Sequence, residues 1–261
     1  MSTHAHDLTF ALTLADAADE ITRSRFLARD LVVRSKPDRS PVTDADTAVE
    51  DAVRGLLATH RPDDSVVGEE RGGTIGAGRV WVLDPIDGTK NFLRGVPAWA
   101  TLIALVVDGR PVVGAVSAPA LGRRWWAATG EGAWTSDPNG TRRRITVSGV
   151  GNLADAYLST TDLGSWVKYH SRERYLALVD NCWESRAFGD FWQHCLVAEG
   201  SVDLAAEPIV NPWDVASVQV LIEEAGGRFS DLSGAPRFDG GSALSSNGQL
   251  HEAALALLNE I

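Results

Sequence analysis

The stretch of residues 80–92 constrains the fold and the chemistry of this chain more than any other. Residues 80–83, Val-Trp-Val-Leu, form an apolar run that predicts a buried strand. We expect this strand to stop at Asp84-Pro85, because proline lacks the N–H group that a sheet ladder needs. Asp84 and Asp87 follow closely on each other, and two neighbouring carboxylates stay ionised together only beside a cation. The stretch therefore predicts a site for a hard divalent ion such as Mg²⁺, with an ordinary Asp-rich turn as the alternative.

The residues after the two aspartates favour anion binding. Gly88-Thr89-Lys90 has the composition of a turn that begins a short helix. The first backbone N–H groups of a helix have no partner within that helix, so they can bind an anion such as phosphate. One stretch is thus predicted to provide both metal ligands and a phosphate cradle.

Composition narrows the class of protein. The 261 residues are 44% hydrophobic and 23% charged, as in ordinary globular proteins. The net charge of −11 argues against nucleic acid and anionic membranes as partners. No apolar run has the length of a membrane span, and the first seven residues do not resemble a signal peptide. Cys182 and Cys195 fit a reducing compartment, so we expect a cytoplasmic protein.

The order of predicted elements divides the chain into two halves. Before residue 148, the sequence predicts helices over 7–28 and from Thr43 or Asp44 onward, with a polar, exposed loop over 34–41 between them. The predicted strands cover 65–70, which ends in the acids Glu69 and Glu70, and 80–83, 101–107, 111–117, 123–128, 132–134 and 145–147. Beyond it, strands and helices alternate. We expect an N-terminal α+β domain over 1–147, which carries the metal site, and a C-terminal α/β domain over 148–261, which completes the metal and substrate sites.

Three motifs occur in order along the chain: Gly68-Glu69-Glu70, Asp84-Pro85-Ile86-Asp87-Gly88-Thr89, and Pro212-Trp213-Asp214-Val215-Ala216 ahead of Glu224-Ala225-Gly226-Gly227. Together, over nearly the whole chain, they resemble the inositol monophosphatase family of metal-dependent phosphomonoesterases. The resemblance implies an α+β, layered αβαβα sugar-phosphatase-like fold, with an N-terminal antiparallel sheet and two long helices. It also implies a homodimer and hydrolysis assisted by two or three Mg²⁺ ions per site, with Mn²⁺ as an alternative.

The resemblance assigns the metal ligands. Glu69, Asp84 and the carbonyl group of Ile86 are implied to hold one ion. Asp84, Asp87 and Asp214 are implied to hold a second, and Glu69, which also counts as a catalytic residue, helps to hold a weaker third ion through water. Two metal ions neutralise the transferred phosphate, activate a water molecule and stabilise the leaving oxygen. The sequence shows no Ser/His/Asp arrangement and no phosphate-accepting cysteine motif, so direct attack by water is preferred.

Further site residues follow from the same resemblance. Gly88 and Thr89 are implied to donate backbone N–H groups to the phosphate. Asp46 is implied to pair with Thr89, so that the two orient the attacking water. Lys36 matches a lysine of the family's mobile loop, and Glu207 matches a substrate-contacting acid.

The residues after the Phe188-Gly189 turn indicate which phosphate ester is hydrolysed. Inositol phosphatases usually have small or hydroxyl residues there, whereas this chain has Asp190. In this respect, and in Arg94-Gly95-Val96-Pro97, the chain resembles the histidinol-phosphate phosphatase branch. Asp190 and Glu207 provide two carboxylates, which suit the ammonium and imidazole groups of histidinol better than neutral inositol. The alternative for Asp190 is that it caps the helix starting near Phe191.

The function predicted from the sequence is therefore Mg²⁺-dependent hydrolysis of L-histidinol phosphate to L-histidinol and phosphate, a step of histidine biosynthesis. An inositol 1-phosphate or general sugar phosphate phosphatase is the second choice, and a nucleotide 3′-phosphatase is the third. A catalytically inactive metal-dependent binding protein is the alternative from another class, although the complete acid set argues against it. None of the six histidines has the spacing of metal ligands, and none is assigned a role.

Overall fold

The fold is built from two sheets and the helices around them, and the computed structural model describes residues 4–37 and 40–259 of the chain. Its elements up to residue 145 are, in chain order, α1 (Ala5–Arg25), β1 (Val33–Ser35), β2 (Pro41–Thr43), α2 (Asp44–His60), β3 (Ser65–Gly68), β4 (Arg79–Asp87), α3 (Thr89–Arg94), β5 (Ala100–Val107), β6 (Arg110–Ala118), β7 (Arg123–Ala128), β8 (Gly132–Ser136) and β9 (Arg142–Ile145). The later elements are a 3₁₀ turn (Leu153–Asp155), β10 (Tyr157–Ser159), α4 (Leu163–Tyr169), α5 (Arg172–Asp180), β11 (Glu184–Arg186), α6 (Asp190–Ala198), β12 (Leu204–Glu207), α7 (Pro212–Glu224), β13 (Arg228–Ser230), β14 (Ala243–Ser246) and α8 (His251–Asn259).

Seven strands of the N-terminal half form one sheet in the order β3-β4-β5-β6-β7-β8-β9. β3 and β4 run parallel, with Gly68 beside Leu83, and all later neighbours pair antiparallel. The parallel pair matters most for function, because the segments that follow both strands leave the sheet at the same edge. The acids predicted after β3 and at the end of β4 are therefore brought to one place.

The apolar run in β4 is explained by burial on both faces of the sheet. Val80 and Val82 belong to the cluster shared with α6 and α7, whereas Trp81 and Leu83 belong to the cluster shared with α1 and α2. Because side chains alternate between faces along a strand, a strand covered on both sides is apolar at every position.

The second sheet completes a layered arrangement. Its strands lie in the order β11-β10-β12-β14-β13. β10 is parallel to its neighbours β11 and β12, and β14 is antiparallel to its neighbours β12 and β13. α6 and α7 lie between the two sheets, α1 and α2 cover the free face of the first sheet, and α4, α5 and α8 cover the free face of the second. The αβαβα layers predicted from the sequence are thus confirmed.

β4 is longer than the sequence predicts. It does not stop at Asp84-Pro85 but continues to Asp87, with a shift in register between Asp84 and Asp87. Such an irregularity lets a strand accommodate a proline that cannot donate to the ladder. The carbonyl group of Pro85 still accepts a hydrogen bond, from Thr101 Oγ1 at 2.7 Å.

Other elements also differ from their predicted positions. α1 ends at Arg25 rather than near residue 28, because Phe26 is extended, with a ψ of 125°, and Leu27 has a positive φ of 63°. The predicted polar loop contains the antiparallel pair β1–β2, and its residues 38 and 39 lie outside the described part of the chain. The strand predicted over 145–147 is instead β9, whose three exposed arginines give no apolar pattern, and α4 is not predicted at all. Within the described residues, no helix is both long and apolar enough to cross a membrane.

Candidate active site

Three aspartates from two elements meet where β4 ends. Asp84 and Asp87 flank the register shift of β4, and Asp214 lies in the first turn of α7. Each offers one carboxylate oxygen, and these three oxygens all lie within 4.8 Å of one another. We refer to Asp84, Asp87 and Asp214 as the acid cluster. Its oxygens are close enough to share one cation.

Backbone donors fix two members of the acid cluster. Asp214 Oδ2 accepts a hydrogen bond from the N–H group of Asn211 at 2.7 Å, so it also closes the first turn of α7. Asp87 Oδ2 accepts from the N–H group of Phe191 at 2.6 Å. The second bond joins the end of β4 to the first turn of α6, and it therefore ties the acid cluster to the second half of the chain.

The electrostatics of the acid cluster favour a bound cation. Burial raises the pKa of Asp84 well above its usual range, and the carboxylates of Glu69 and Asp87 raise it further. Burial and the charges of Asp190 and Asp214 have the same effect on Asp87. The pKa of Asp214 rises to about 7, mainly through burial. A divalent cation stabilises such carboxylates as anions, and a set of oxygen ligands alone suits a hard ion. The residues present therefore fit a site for a hard divalent metal.

Glu69 lies beside the acid cluster without being one of its three members. Its Oε1 accepts a hydrogen bond from Lys36 Nζ at 2.7 Å, and the same ammonium group lies 2.7 Å from Glu70 Oε1. Burial lowers the pKa of Lys36, but the hydrogen bonds to both carboxylates outweigh it and leave this pKa raised. The ammonium group of Lys36 thus forms ion pairs with both acids after β3 and offsets one of their two negative charges.

A residue that the sequence analysis missed holds the Glu69-Glu70 turn. Glu50 of α2 is fully buried, and its carboxylate accepts hydrogen bonds from the N–H groups of Glu70 at 2.8 Å and of Arg71 at 3.1 Å. Arg54, one turn further along α2, donates Nε to the same carboxylate at 2.8 Å. The only sign of this role in the sequence is an acid among the apolar residues of a predicted helix face.

The hydrogen bond predicted between Asp46 and Thr89 is not formed. Thr89 Oγ1 donates to the carbonyl group of Ile86 at 2.9 Å. Asp46 Oδ2 accepts from the N–H group and the hydroxyl group of Thr43, at 2.8 and 2.6 Å, as the acid of a capping box at the start of α2. Both side chains are therefore held by nearer partners. Asp46 Oδ1 is buried and has no partner among the described residues, and burial is the main reason that the pKa of Asp46 rises to about 6.

The turn after Asp87 forms the predicted short helix. α3 begins at Thr89, directly after Gly88, whose φ of 82° lies in the left-handed region. A Cβ atom at Gly88 would also lie 2.9 Å from the carbonyl oxygen of Ala98, so the position favours glycine for two independent reasons. The use of this helix start as a phosphate cradle stays a prediction.

A cavity of about 480 Å³ opens beside the acid cluster. Asp87, Asp214, Asp190 and Glu207 all line it, so the structure brings the two predicted substrate carboxylates to the same cavity as predicted metal ligands. Thr161 and the two lysines Lys90 and Lys168 are among its other polar residues.

Asp190 is the first residue of α6 and not its cap. Gly189 occupies the N-cap position, and the first two N–H groups of the helix, those of Asp190 and Phe191, donate to Thr161 and Asp87. The carboxylate of Asp190 therefore does not cap the helix. The φ of Asp190 is 47°, and its N–H group donates to Thr161 Oγ1 at 2.9 Å. Its carboxylate accepts from Asn91 Nδ2 at 3.3 Å. Burial, with the nearby charge of Glu207, raises the pKa of Asp190 to about 6.

Glu207, at the end of β12, is held by three side chains that the sequence analysis missed. Thr161 Oγ1 donates to Oε2 at 2.8 Å, and Gln193 Nε2 donates to Oε1 at 2.7 Å. His194 Nε2 lies 2.9 Å from Oε1. These contacts join the segment after β10, which is 46 residues away in the sequence, and the neighbouring helix α6 to the end of β12. No local sequence pattern predicts them.

The fold and the acid cluster together define a metal-dependent phosphatase. The model of the inositol monophosphatase family matches residues 4–261, and the chain belongs to that family. It is 55% identical to the histidinol-phosphatase of Mycobacterium tuberculosis, with 97% of this chain and 98% of that protein covered. It is 49% identical to the histidinol-phosphatase of Streptomyces coelicolor, with 100% and 99% covered. Among solved structures, an inositol monophosphatase from Zymomonas mobilis matches it with a TM-score of 0.86 at 34% identity, over 99% of each chain.

Proposed function

We propose that this chain hydrolyses L-histidinol phosphate to L-histidinol and phosphate, as a step of histidine biosynthesis. The observation that carries the proposal is the pair Asp190 and Glu207, two carboxylates that line one cavity together with members of the acid cluster. A leaving group with an ammonium group and an imidazole ring matches such a cavity, because both groups donate charge-assisted hydrogen bonds to carboxylates. The names of the two curated relatives above support the same substrate.

The metal cofactor in this proposal is Mg²⁺, with Mn²⁺ as an alternative. Asp84, Asp87 and Asp214 would hold it, and Glu69 and the carbonyl group of Ile86 would extend the site to two or three ions. Bound there, Mg²⁺ would supply charge neutralisation for the phosphate oxygens and would lower the pKa of a water molecule. The chain keeps its ligands ready through backbone hydrogen bonds to Asp87 and Asp214.

The phosphate and the attacking water are oriented by residues near α3. Backbone N–H groups of Gly88 and Thr89 bind the phosphate, and Lys36 adds positive charge on the side of Glu69. The unpartnered Oδ1 of Asp46, together with the hydroxyl group of Thr89, positions the water. With a pKa of about 6, Asp46 is ionised at neutral pH, so it can accept a hydrogen bond from that water.

The proposal extends to the compartment, the oligomeric state and the domain organisation of the protein. The protein acts as a cytoplasmic homodimer, without nucleic acid or membrane as partners. Domains over 1–147 and 148–261 share the site, because Asp84 and Asp87 come from the first and Asp214 comes from the second.

Phosphate release from histidinol phosphate, measured with Mg²⁺ and after removal of metal by EDTA, tests the proposal. We expect turnover only with the divalent ion. Asp84→Asn and Asp214→Asn each should lower kcat/KM by at least about 10²-fold, because each removes a charged metal ligand. Circular dichroism should show a preserved fold. Asp63→Asn, which replaces an exposed acid in the turn after α2, is the control. Turnover at the wild-type rate in either ligand variant at ordinary Mg²⁺ contradicts the metal assignment.

A further inference from the structure

His194 is a buried histidine that connects Glu207 to the second sheet. Its side chain is 1% exposed; Nε2 lies 2.9 Å from Glu207 Oε1, and Nδ1 lies 2.8 Å from Ser245 Oγ. An ionised carboxylate only accepts hydrogen bonds, so Nε2 is the nitrogen that carries the proton and donates. Ser245 is buried on β14, where it pairs with Ala205 of β12.

The remaining donors to Glu207 belong to one network with His194. Gln193 Nε2 donates to Glu207 Oε1, and it also donates to Thr161 Oγ1 at 3.0 Å. The Thr161 hydroxyl group donates to Glu207 Oε2 and accepts from the N–H group of Asp190. The network therefore sets the orientation of the Glu207 carboxylate and the backbone position of Asp190 at the same time.

His194 differs from the other donors in its position. Thr161 lines the cavity, whereas His194 is not among its lining residues in the part of the chain that the structure describes. The imidazole ring is fixed by Ser245, which lies in the sheet, so it holds Glu207 Oε1 from behind. A carboxylate held in this way pays little entropy when it accepts a cationic group of a ligand.

We infer that His194 is a positioning residue that fixes the Glu207 carboxylate for a cationic leaving group, and that it thereby sets the selectivity for cationic over neutral phosphate esters. The inference rests on the proposed function and adds to it a determinant of specificity behind the cavity wall. His194 acts only through Glu207 and takes no part in the chemistry at phosphorus.

Three substitutions separate this role from a structural one. His194→Phe keeps a ring in the core but removes the donor to Glu207. His194→Gln keeps an amide donor that can take the place of Nε2. Ser245→Ala leaves the imidazole group in place and removes the partner that orients it. For each variant, kcat and KM are measured with histidinol phosphate and with p-nitrophenyl phosphate at saturating Mg²⁺, and the ratio of the two kcat/KM values is compared.

His251 provides the matched control. It is also fully buried in the same half of the chain, but it bridges two serines, with Ser230 Oγ at 2.9 Å and Ser246 Oγ at 2.8 Å, and contacts no carboxylate through these bonds. His251→Phe therefore removes a buried imidazole group of the same kind without touching the Glu207 network.

We expect His194→Phe to lower the ratio for histidinol phosphate over p-nitrophenyl phosphate by about 10-fold or more, chiefly through KM, because a hydrogen bond to a charged group is lost. His194→Gln should recover most of the ratio, Ser245→Ala should lower it less than His194→Phe, and His251→Phe should leave it unchanged. If His194→Phe does not fold, the ratio in Ser245→Ala decides.

Two results overturn the inference while the proposed function stands: a wild-type ratio in folded His194→Phe or in Ser245→Ala, and a fall of the same size in His251→Phe. A different result would be that the wild-type enzyme shows no preference for histidinol phosphate over a neutral ester. It contradicts the proposed function itself, and the inference falls with it.

Discussion

Asp190 combines a proposed role in substrate specificity with an unusual backbone conformation. Its φ of 47° lies in the left-handed region, which a residue with a side chain occupies at some cost. The preceding Gly189 also has a positive φ, 77°, but with a ψ of 165°, a combination that essentially only glycine adopts. The hydrogen bond from the Asp190 N–H group to Thr161 holds the conformation. Strain of this kind persists where the surrounding structure fixes it, often at functional sites, and here it directs a carboxylate to the substrate cavity.

Replacing Asp190 by asparagine tests its role in recognition. Asparagine tolerates the left-handed region and preserves size, so the variant removes only the charge. We expect Asp190→Asn to reduce kcat/KM for histidinol phosphate by roughly 30-fold or more, since loss of one partner of a buried charge pair typically costs about 2–5 kcal/mol. p-Nitrophenyl phosphate, whose leaving group has no cation, should lose far less. Equal losses for the two substrates would assign Asp190 a general structural or catalytic role.

The element that organises the metal side is the parallel pair β3–β4. β4 delivers Asp84 and Asp87, and the turn after β3 delivers Glu69. Lys36 donates to the Glu69 carboxylate, and Glu50 accepts from the N–H groups of the next two residues of that turn. Gly68 is what allows Glu50 to lie there: a Cβ atom at this position would be 2.2 Å from Glu50 Oε1. Helix α2, through Glu50, thus determines where the Glu69-Glu70 turn can sit.

Gly68→Ala tests this dependence. The added methyl group should displace the buried Glu50 carboxylate and with it the Glu69-Glu70 turn, so we expect the Mg²⁺ concentration for half-maximal activity to rise and stability to fall by about 1–3 kcal/mol. Gly55→Ala in α2 is the control, because a Cβ atom there meets nothing within 4 Å; it should stabilise the helix by about 0.5–1 kcal/mol. Titration of activity with Mg²⁺ and urea unfolding measure both effects. Unchanged Mg²⁺ dependence in Gly68→Ala would show that the turn is not held in this way.

At the scale of elements, local sequence patterns predicted the strands and turns that depend on near neighbours in the chain. The apolar run of residues 80–83 predicted β4, and the Asp108-Gly109 turn predicted the hairpin between β5 and β6, because period and turn chemistry act between near neighbours. The hydrogen bonds that join Asp87 to Phe191, and Thr161 to Glu207, depend on which distant segments the layers bring together. A single sequence does not contain that information in any local pattern.

At the scale of the whole molecule, the site lies where the two sheets and the helices between them meet. The acid cluster draws on β4 of the first sheet and on α7 of the central layer, and the bond from the Phe191 N–H group to Asp87 joins β4 to α6. Folding therefore brings several carboxylates together in one buried place. Without metal, their mutual repulsion lowers the free energy of unfolding, and this effect should appear in the pH dependence of stability.

The sign of that dependence follows from the raised pKa values. Asp214 has a pKa of about 7 in the folded protein, against an ordinary value of 3.8, so between these values the folded state binds more protons than the unfolded state. Stability of the metal-free protein contributed by this group should therefore fall as the pH rises from about 4 to 7. Mg²⁺ should stabilise the protein more at pH 8 than at pH 5, because it binds the deprotonated carboxylates.

Thermal unfolding with EDTA and with Mg²⁺, across this pH range, measures the effect. The contribution of His251 to stability has the opposite pH dependence. Because burial lowers the pKa of His251 to about 4, this contribution rises with pH between about 4 and 6.5. The comparison of Asp214→Asn with the wild type removes that contribution, which is common to both proteins. A metal-free wild type whose stability relative to Asp214→Asn rises from pH 4 to 7 would contradict the assigned direction.

The ratio of kcat/KM for histidinol phosphate to kcat/KM for inositol 1-phosphate, measured on the wild-type protein with Mg²⁺, tests the central claim most directly. Both esters present the same phosphate to the acid cluster, and they differ in the charge of the group that Asp190 and Glu207 face. We predict a ratio of roughly 30 or more in favour of histidinol phosphate, in line with the loss of about 2 kcal/mol or more when a buried carboxylate lacks its cationic partner. A ratio near one, or a preference for inositol 1-phosphate, would contradict the account.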